Sequence, residues 1–132
     1  MLFHASEPVG HDYPGKDGLE LPRLYGFIHS HPDVRTIGAH WGGGLPFYAL
    51  MPEVKRALRG ASFDTAATSL LYAPEVYRQV AALTGTESIV FGSDFPLLRQ
   101  AHSRRWVEEA GLDPQDLVRV LGDNALRILK LA

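Results

Sequence analysis

The chain has 132 residues, 45% of them hydrophobic and 21% charged, with a net charge of −2; this is the composition of one globular domain with its own core. It contains no cysteine, which excludes disulfides, thiolate metal ligands and a cysteine nucleophile together. There is no Lys/Arg stripe for nucleic acid or an anionic membrane, no apolar run near the roughly 18 residues of a span and no signal-peptide pattern, so the expected setting is cytoplasmic and the expected partner a small molecule.

The chain opens on a strand, Leu2-Phe3, that ends in His4. A strand at residue 1 predicts that strand–helix units belonging before it are absent. The loop that follows, to Leu19, is rich in turn residues, with Pro8, Gly10, Pro14, Gly15 and Gly18. Leu21 to Ser30 reads as a helix, with Pro22 in its first turn and Leu21, Leu24, Tyr25 and Ile28 at helical spacing. Pro32 ends it. Val34 to Ala39 is the second predicted strand, and it runs into His40-Trp41-Gly42-Gly43-Gly44. A helix is expected from about Pro46 to Leu58, with Pro52 liable to divide it in two.

Ala61 to Asp64 is the third strand. Glu75 to Leu83 is helical, between Pro74 and Gly85. Ser88 to Phe91, with β-branched Ile89 and Val90, is the fourth strand, followed by Gly92-Ser93-Asp94-Phe95-Pro96. Arg99 to Ala110 is helical. Asp113-Pro114 pairs an N-cap with a proline at the first helical position and opens Pro114 to Leu121. Asn124 to Leu131 is the last helix. No repeat, low-complexity stretch or dividing linker interrupts residues 1–132, which form one domain.

Strand–helix alternation implies parallel strands with right-handed crossovers, so all the strand ends point to one face. The ends at His4, His40, Asp64 and Asp94 recur at roughly the 31-residue spacing of a (β/α)₈ barrel of about 250 residues. The expected fold is therefore α/β: four consecutive units, about half of a barrel, plus C-terminal helices. Imidazole and carboxylate are usual ligands of a divalent metal such as zinc, and His4, His40 and Asp94 supply those types. Such a metal lowers the pKa of bound water from about 15.7 to about 7, and a nearby histidine can shuttle the proton. The plain alternative is that each strand-end histidine only hydrogen-bonds the next loop.

The wording of these segments resembles a known family. His4-Ala-Ser-Glu-Pro-Val-Gly-His11 with Tyr13-Pro-Gly-Lys16 is similar to the fifth-strand loop of the amidohydrolase-related (amidohydrolase 2) family. His40-Trp-Gly-Gly-Gly44 resembles its sixth strand end, Phe63-Asp-Thr-Ala-Ala67 its seventh, Phe91-Gly-Ser-Asp-Phe-Pro96 its eighth, and Gly122-Asp-Asn-Ala-Leu-Arg127 its closing helix. The resemblance implies a metal-dependent TIM barrel represented by its strands five to eight. It implies that His4 is a metal ligand, His40 the general acid/base, and Asp94 a ligand or partner of metal-bound water. Zinc is the implied metal, with manganese the other candidate. The family's first-strand His-x-His or Glu-x-His pair has no counterpart here. The implied activity is hydrolysis of a C–O or C–N bond; the alternatives are decarboxylation by the same site, or a non-catalytic association module.

Other polar residues have two readings. His11, with Tyr13 and Lys16, either touches substrate or belongs to a solvated loop. Asp64 is a substrate or supporting contact, or a strand-end turn residue. Trp41 is assigned to the substrate pocket, Trp106 to helix packing, and His102 to solvated surface. His29-Ser30-His31 imitates a metal pair but falls at a helix C-terminus, where histidines cap carbonyls. Gly42-Gly43-Gly44 could cradle phosphate or an oxyanion; without Gly-x-Ser-x-Gly or Gly-Lys-Ser/Thr, the esterase and P-loop readings fail. A halved barrel leaves its first and fourth strands as open edges, which predicts either a homo-oligomer or a missing N-terminal half-barrel as partner.

Overall fold

The computed structural model describes residues 1–131. One parallel sheet holds β1 (Leu2–Phe3), β2 (Thr36–Gly38), β3 (Ala61–Asp64) and β4 (Ile89–Val90), neighbours in that order. Helix α1 (Leu21–Ser30) crosses from β1 to β2, and α2 (Pro52–Ala57) from β2 to β3. Between β3 and β4 come α3 (Thr68–Leu71) and α4 (Val76–Thr84); α5 (Gln100–Glu108), α6 (Pro114–Val118) and α7 (Asn124–Leu129) follow β4.

Local chemistry explains most of these bounds. In α1, Leu24 and Ile28 are buried on one face, and the chain exits through His31, whose backbone N–H and ring Nδ1–H both donate to Phe27 O at 3.0 Å. Asp113 caps α6, its Oδ1 accepting the N–H of Gln115 and Asp116 at 2.9 Å, a contact typically worth about 1 kcal/mol. The helix expected over Pro46 to Leu58 is different. From His40 to Leu50 the chain makes a left-handed turn and then a tight 3₁₀ stretch, and only Pro52–Ala57 is α-helical. Trp41 through Gly44 hold positive φ, which no right-handed helix tolerates. The break expected between the last two helices is also absent: Arg119–Asp123 forms one wide π turn that joins α6 to α7.

Side chains sort onto two faces by register. Phe3, Gly38, Phe63 and Ile89 are mutual partners across the sheet and share one face. Phe3 meets Phe27 of α1 there, ring centroids 4.8 Å apart, so this is the face the helices cover. Gly38 is glycine because a Cβ would stand 2.8 Å from Gly42 Cα. One residue further along the same register, His4, Ala39, Asp64 and Val90 occupy the opposite face at the C-terminal ends of the strands. Trp41, Tyr77, Phe63, Leu24, Ile89, Val80, Val107 and Val120 are fully buried in the core.

The sheet edges depart from expectation because the chain covers much of both itself. Along β4, Phe91 N–H donates to Val120 O at 3.1 Å, and the buried Asn124 amide donates to Thr86 O and Ile89 O at 2.9 and 2.8 Å. Along β1, the loop returns so that Leu19 N–H donates to His4 O at 3.1 Å beside an Ala5–Leu19 bridge. Leu2, 66% exposed, remains uncovered. No helix among the described residues is long and apolar enough to cross a membrane.

Candidate functional site

The C-terminal rim is built around His40. Five successive residues, His40 to Gly44, hold positive φ, with His40 at 53° and Trp41 at 57°. Non-glycine residues held there cost of order 1–3 kcal/mol each, so neighbours must enforce the conformation. Asp64 does so: its Oδ1 accepts the N–H of His40 at 2.9 Å and of Ala66 at 3.0 Å. The ring is fixed as well. His40 Nδ1 lies 3.1 Å from Ala66 O, and a carbonyl can only accept, so Nδ1 carries the proton and Nε2 presents its lone pair. Burial pushes the Asp64 carboxyl above its ordinary value; the His40 and Ala66 N–H groups and the nearby imidazole pull it down, and the charge of Asp94 pushes it up again.

His4 reaches this group from β1. Its ring meets that of His40 edge-on, centroids 5.0 Å apart. Its Nε2 donates to Gly15 O at 3.2 Å, with Ser6 Oγ at 3.4 Å, which leaves Nδ1 as the free acceptor. Gly18 must be small, because a Cβ would lie 2.7 Å from His4 Cδ2. Asp94 follows β4 at φ 63°, exposed, and within electrostatic reach of Asp64. The structure thus unites His4, His40 and Asp64, with Asp94 beside them. It does not assemble a metal cage: no three His, Asp or Glu groups among the described residues are placed to hold an ion. The donor types suit a divalent cation, but the set on this chain is too small to enclose one.

The remaining expectations resolve individually. Trp41 does not line a pocket. It is fully buried, its Nε1–H donates to Thr68 Oγ1 at 2.9 Å, and its ring packs edge-on against Tyr77 at 5.0 Å, because the left-handed turn swings residue 41 to the helix side. Asp64 orders backbone instead of presenting both oxygens to a ligand. His11 is exposed and lies against Tyr13 with centroids 5.5 Å apart. His102 is not merely solvated, since Ser69 Oγ lies 3.0 Å from its Nε2. His29 and His31 stack on Tyr25 and Phe27 at the C-terminal end of α1.

Sequence reasoning passed over Glu7. Its Oε2 accepts the Tyr13 hydroxyl at 3.1 Å, and Tyr72 lies close enough that burial first, and then the negative charge of Glu7, push its phenol far up. No periodicity marks Glu7, which stands in an irregular loop; only its place three residues beyond a strand-end histidine singles it out.

Comparison with known proteins bears on this rim. A family model described as amidohydrolase matches residues 4–131. No curated protein matches. Among solved structures, a 5-carboxyvanillate decarboxylase from Sphingomonas paucimobilis aligns with a TM-score of 0.76 at 16% identity, over 98% of this chain and 48% of that one. A dihydroxybenzoic acid decarboxylase from Polaromonas with bound manganese gives 0.70 at 18% identity, over 84% and 39%. An amidohydrolase from Burkholderia multivorans with bound zinc gives 0.63 at 17% identity, over 83% and 49%. The chain therefore spans about half, or less, of the length of these structures, and the likeness is one of fold. With a parallel α/β sheet similar to theirs and a family match over nearly all of its residues, the chain belongs to the amidohydrolase family.

Proposed function

We propose that this chain supplies the acid/base side of a divalent-metal-dependent enzyme acting on a small molecule, and that it corresponds to strands five to eight of the barrel. The observation that carries this reading is the fixed His40 ring: Nδ1–H is held by Ala66 O, the backbone is held by Asp64, Nε2 keeps its lone pair, and the His4 ring stands edge-on with its centroid 5.0 Å away. A histidine so held can take up a proton at Nε2 and return it without turning. The remaining metal ligands would come from a second half-barrel, either further strands of a longer chain or another copy of this one. Zinc and manganese are the ions to test first, because solved relatives hold one or the other.

Hydrolysis of a C–O or C–N bond and decarboxylation of a small carboxylic acid both need this proton shuttle. Decarboxylation is retained as a second reading because two of the relatives described above are decarboxylases of hydroxylated aromatic acids. The test is to supply the completed assembly with metal, hydroxybenzoates and simple esters or lactones, following carbon dioxide release and acid release separately. His40→Asn is expected to abolish whichever product forms. Full turnover with His40→Asn would overturn the assignment.

A further inference from the structure

Two clefts lie on the rim away from His40 and Asp64. The larger, about 980 Å³, runs between the loop after β1 and helices α1 and α2; the smaller, about 460 Å³, lies between that loop, the glycine turn and Tyr72. They share Glu7, Pro8, Leu21 and Tyr48, and so form one groove with Glu7 at the junction.

The Glu7 carboxylate is unbalanced. Oε2 accepts the Tyr13 hydroxyl and the neutral Tyr72 hydroxyl stands close by, while Oε1 is buried with no hydrogen-bond donor. The one ammonium lining the groove, Lys16 Nζ, is engaged elsewhere, donating to Gly10 O at 3.1 Å and His11 O at 2.8 Å, with Asp12 Oδ1 at 3.5 Å. No basic side chain among the described residues forms an ion pair with Glu7. A carboxylate withdrawn from water without a counter-ion favours arrival of a cation.

The walls indicate which kind of cation. Phe47 and Tyr72 stand with centroids 6.1 Å apart and planes tilted by 40°, and Tyr48 lines the same cleft. Aromatic faces beside a carboxylate suit an organic ammonium. An inorganic divalent ion needs several oxygen or nitrogen ligands, and no three acidic or imidazole groups among the described residues converge to provide them.

We propose that this groove binds an organic ammonium, an amine with an apolar body, with its charge against Glu7 and its body over Phe47, Tyr48 and Tyr72. The site does not rest on the acid/base reading above; it adjoins that group through Ser6 and Gly18, which line the larger cleft and lie against His4, and through Gly43 and Gly44 of the turn that begins at His40.

Titrating benzylamine into the isotope-labelled chain at neutral pH, with benzyl alcohol and benzoate as controls, tests it by amide chemical shifts. Benzylamine alone is expected to give saturable shifts at Gly43, Gly44, Phe47 and Tyr72. Glu7→Gln, which keeps an acceptor for Tyr13, and Phe47→Ala are each expected to weaken binding by roughly tenfold. If Glu7→Gln fails to fold by circular dichroism, Phe47→Ala at its more exposed position carries the test. Equal binding of benzyl alcohol or benzoate, undiminished binding by the folded variants, shifts confined to His4 and His40, or no shifts at all would overturn the proposal.

Discussion

Asn124→Ala tests how this half-covered sheet holds together. The Asn124 amide is buried, and its two N–H groups reach Thr86 O at 2.9 Å and Ile89 O at 2.8 Å, tying α7 to the outer side of β4. Removing the side chain leaves both carbonyls without this donor. Each loss costs about 1–3 kcal/mol where water cannot enter, so the expected total is about 2–6 kcal/mol, a large part of the roughly 5–15 kcal/mol that holds a typical domain folded. At about 4 °C per kcal/mol for a chain of this size, the melting temperature is expected to fall by roughly 8–24 °C. Urea unfolding followed by far-ultraviolet circular dichroism measures the loss directly. Asn124→Asp sharpens the test, because it keeps the shape but turns acceptors towards two carbonyls, and it is expected to be worse than alanine. A loss below about 0.5 kcal/mol for alanine, or an aspartate variant as stable as wild type, would refute the argument.

Further outcomes follow from the rim and the core. Asp64→Ala frees two N–H groups and is expected to cost about 2–4 kcal/mol by urea unfolding, whereas Asp64→Asn keeps the Oδ1 acceptor and loses much less. Because the Asp64 carboxyl is raised above its ordinary value of 3.8, its contribution to stability is fully present below that pH and declines as pH climbs through the folded value; Asp64→Asn is expected to remove that slope. Burial likewise raises the Tyr77 phenol above 10.0, so stability is expected to fall as pH rises beyond about that value, and Tyr77→Phe to flatten the fall in alkaline melts. Gly43→Ala places a Cβ 2.7 Å from Ser6 O in a left-handed turn, and is expected to destabilise by more than about 1 kcal/mol and to shift the His4 and His40 resonances.

The fold was legible wherever one local rule sufficed. Pro22 and the leucine spacing gave α1 its observed bounds, Ala61–Asp64 emerged unchanged as β3, and the strand-end positions of His4, His40 and Asp64 followed from strand–helix alternation. It was illegible where backbone sterics ruled. Nothing in the apolar pattern of residues 40–50 announces a left-handed run that buries Trp41 and exposes Tyr48, because glycine permits such a turn without requiring it. The edge cover escaped for a different reason. Asn124 and Leu19 act at long range through single polar groups, which periodicity does not register. Glu7 was missed on the same ground: an unbalanced carboxylate shows only when its neighbours are known.

We propose that His4 and Asp94 contribute to a metal site that a second half-barrel completes, since the described residues bring no three such groups together. Titration of manganese into the chain, read by loss of the free-ion paramagnetic resonance signal, tests it most directly. Weak uptake, abolished by His4→Ala and by Asp94→Ala, is the expected result. Tight stoichiometric uptake that survives both substitutions would contradict the account.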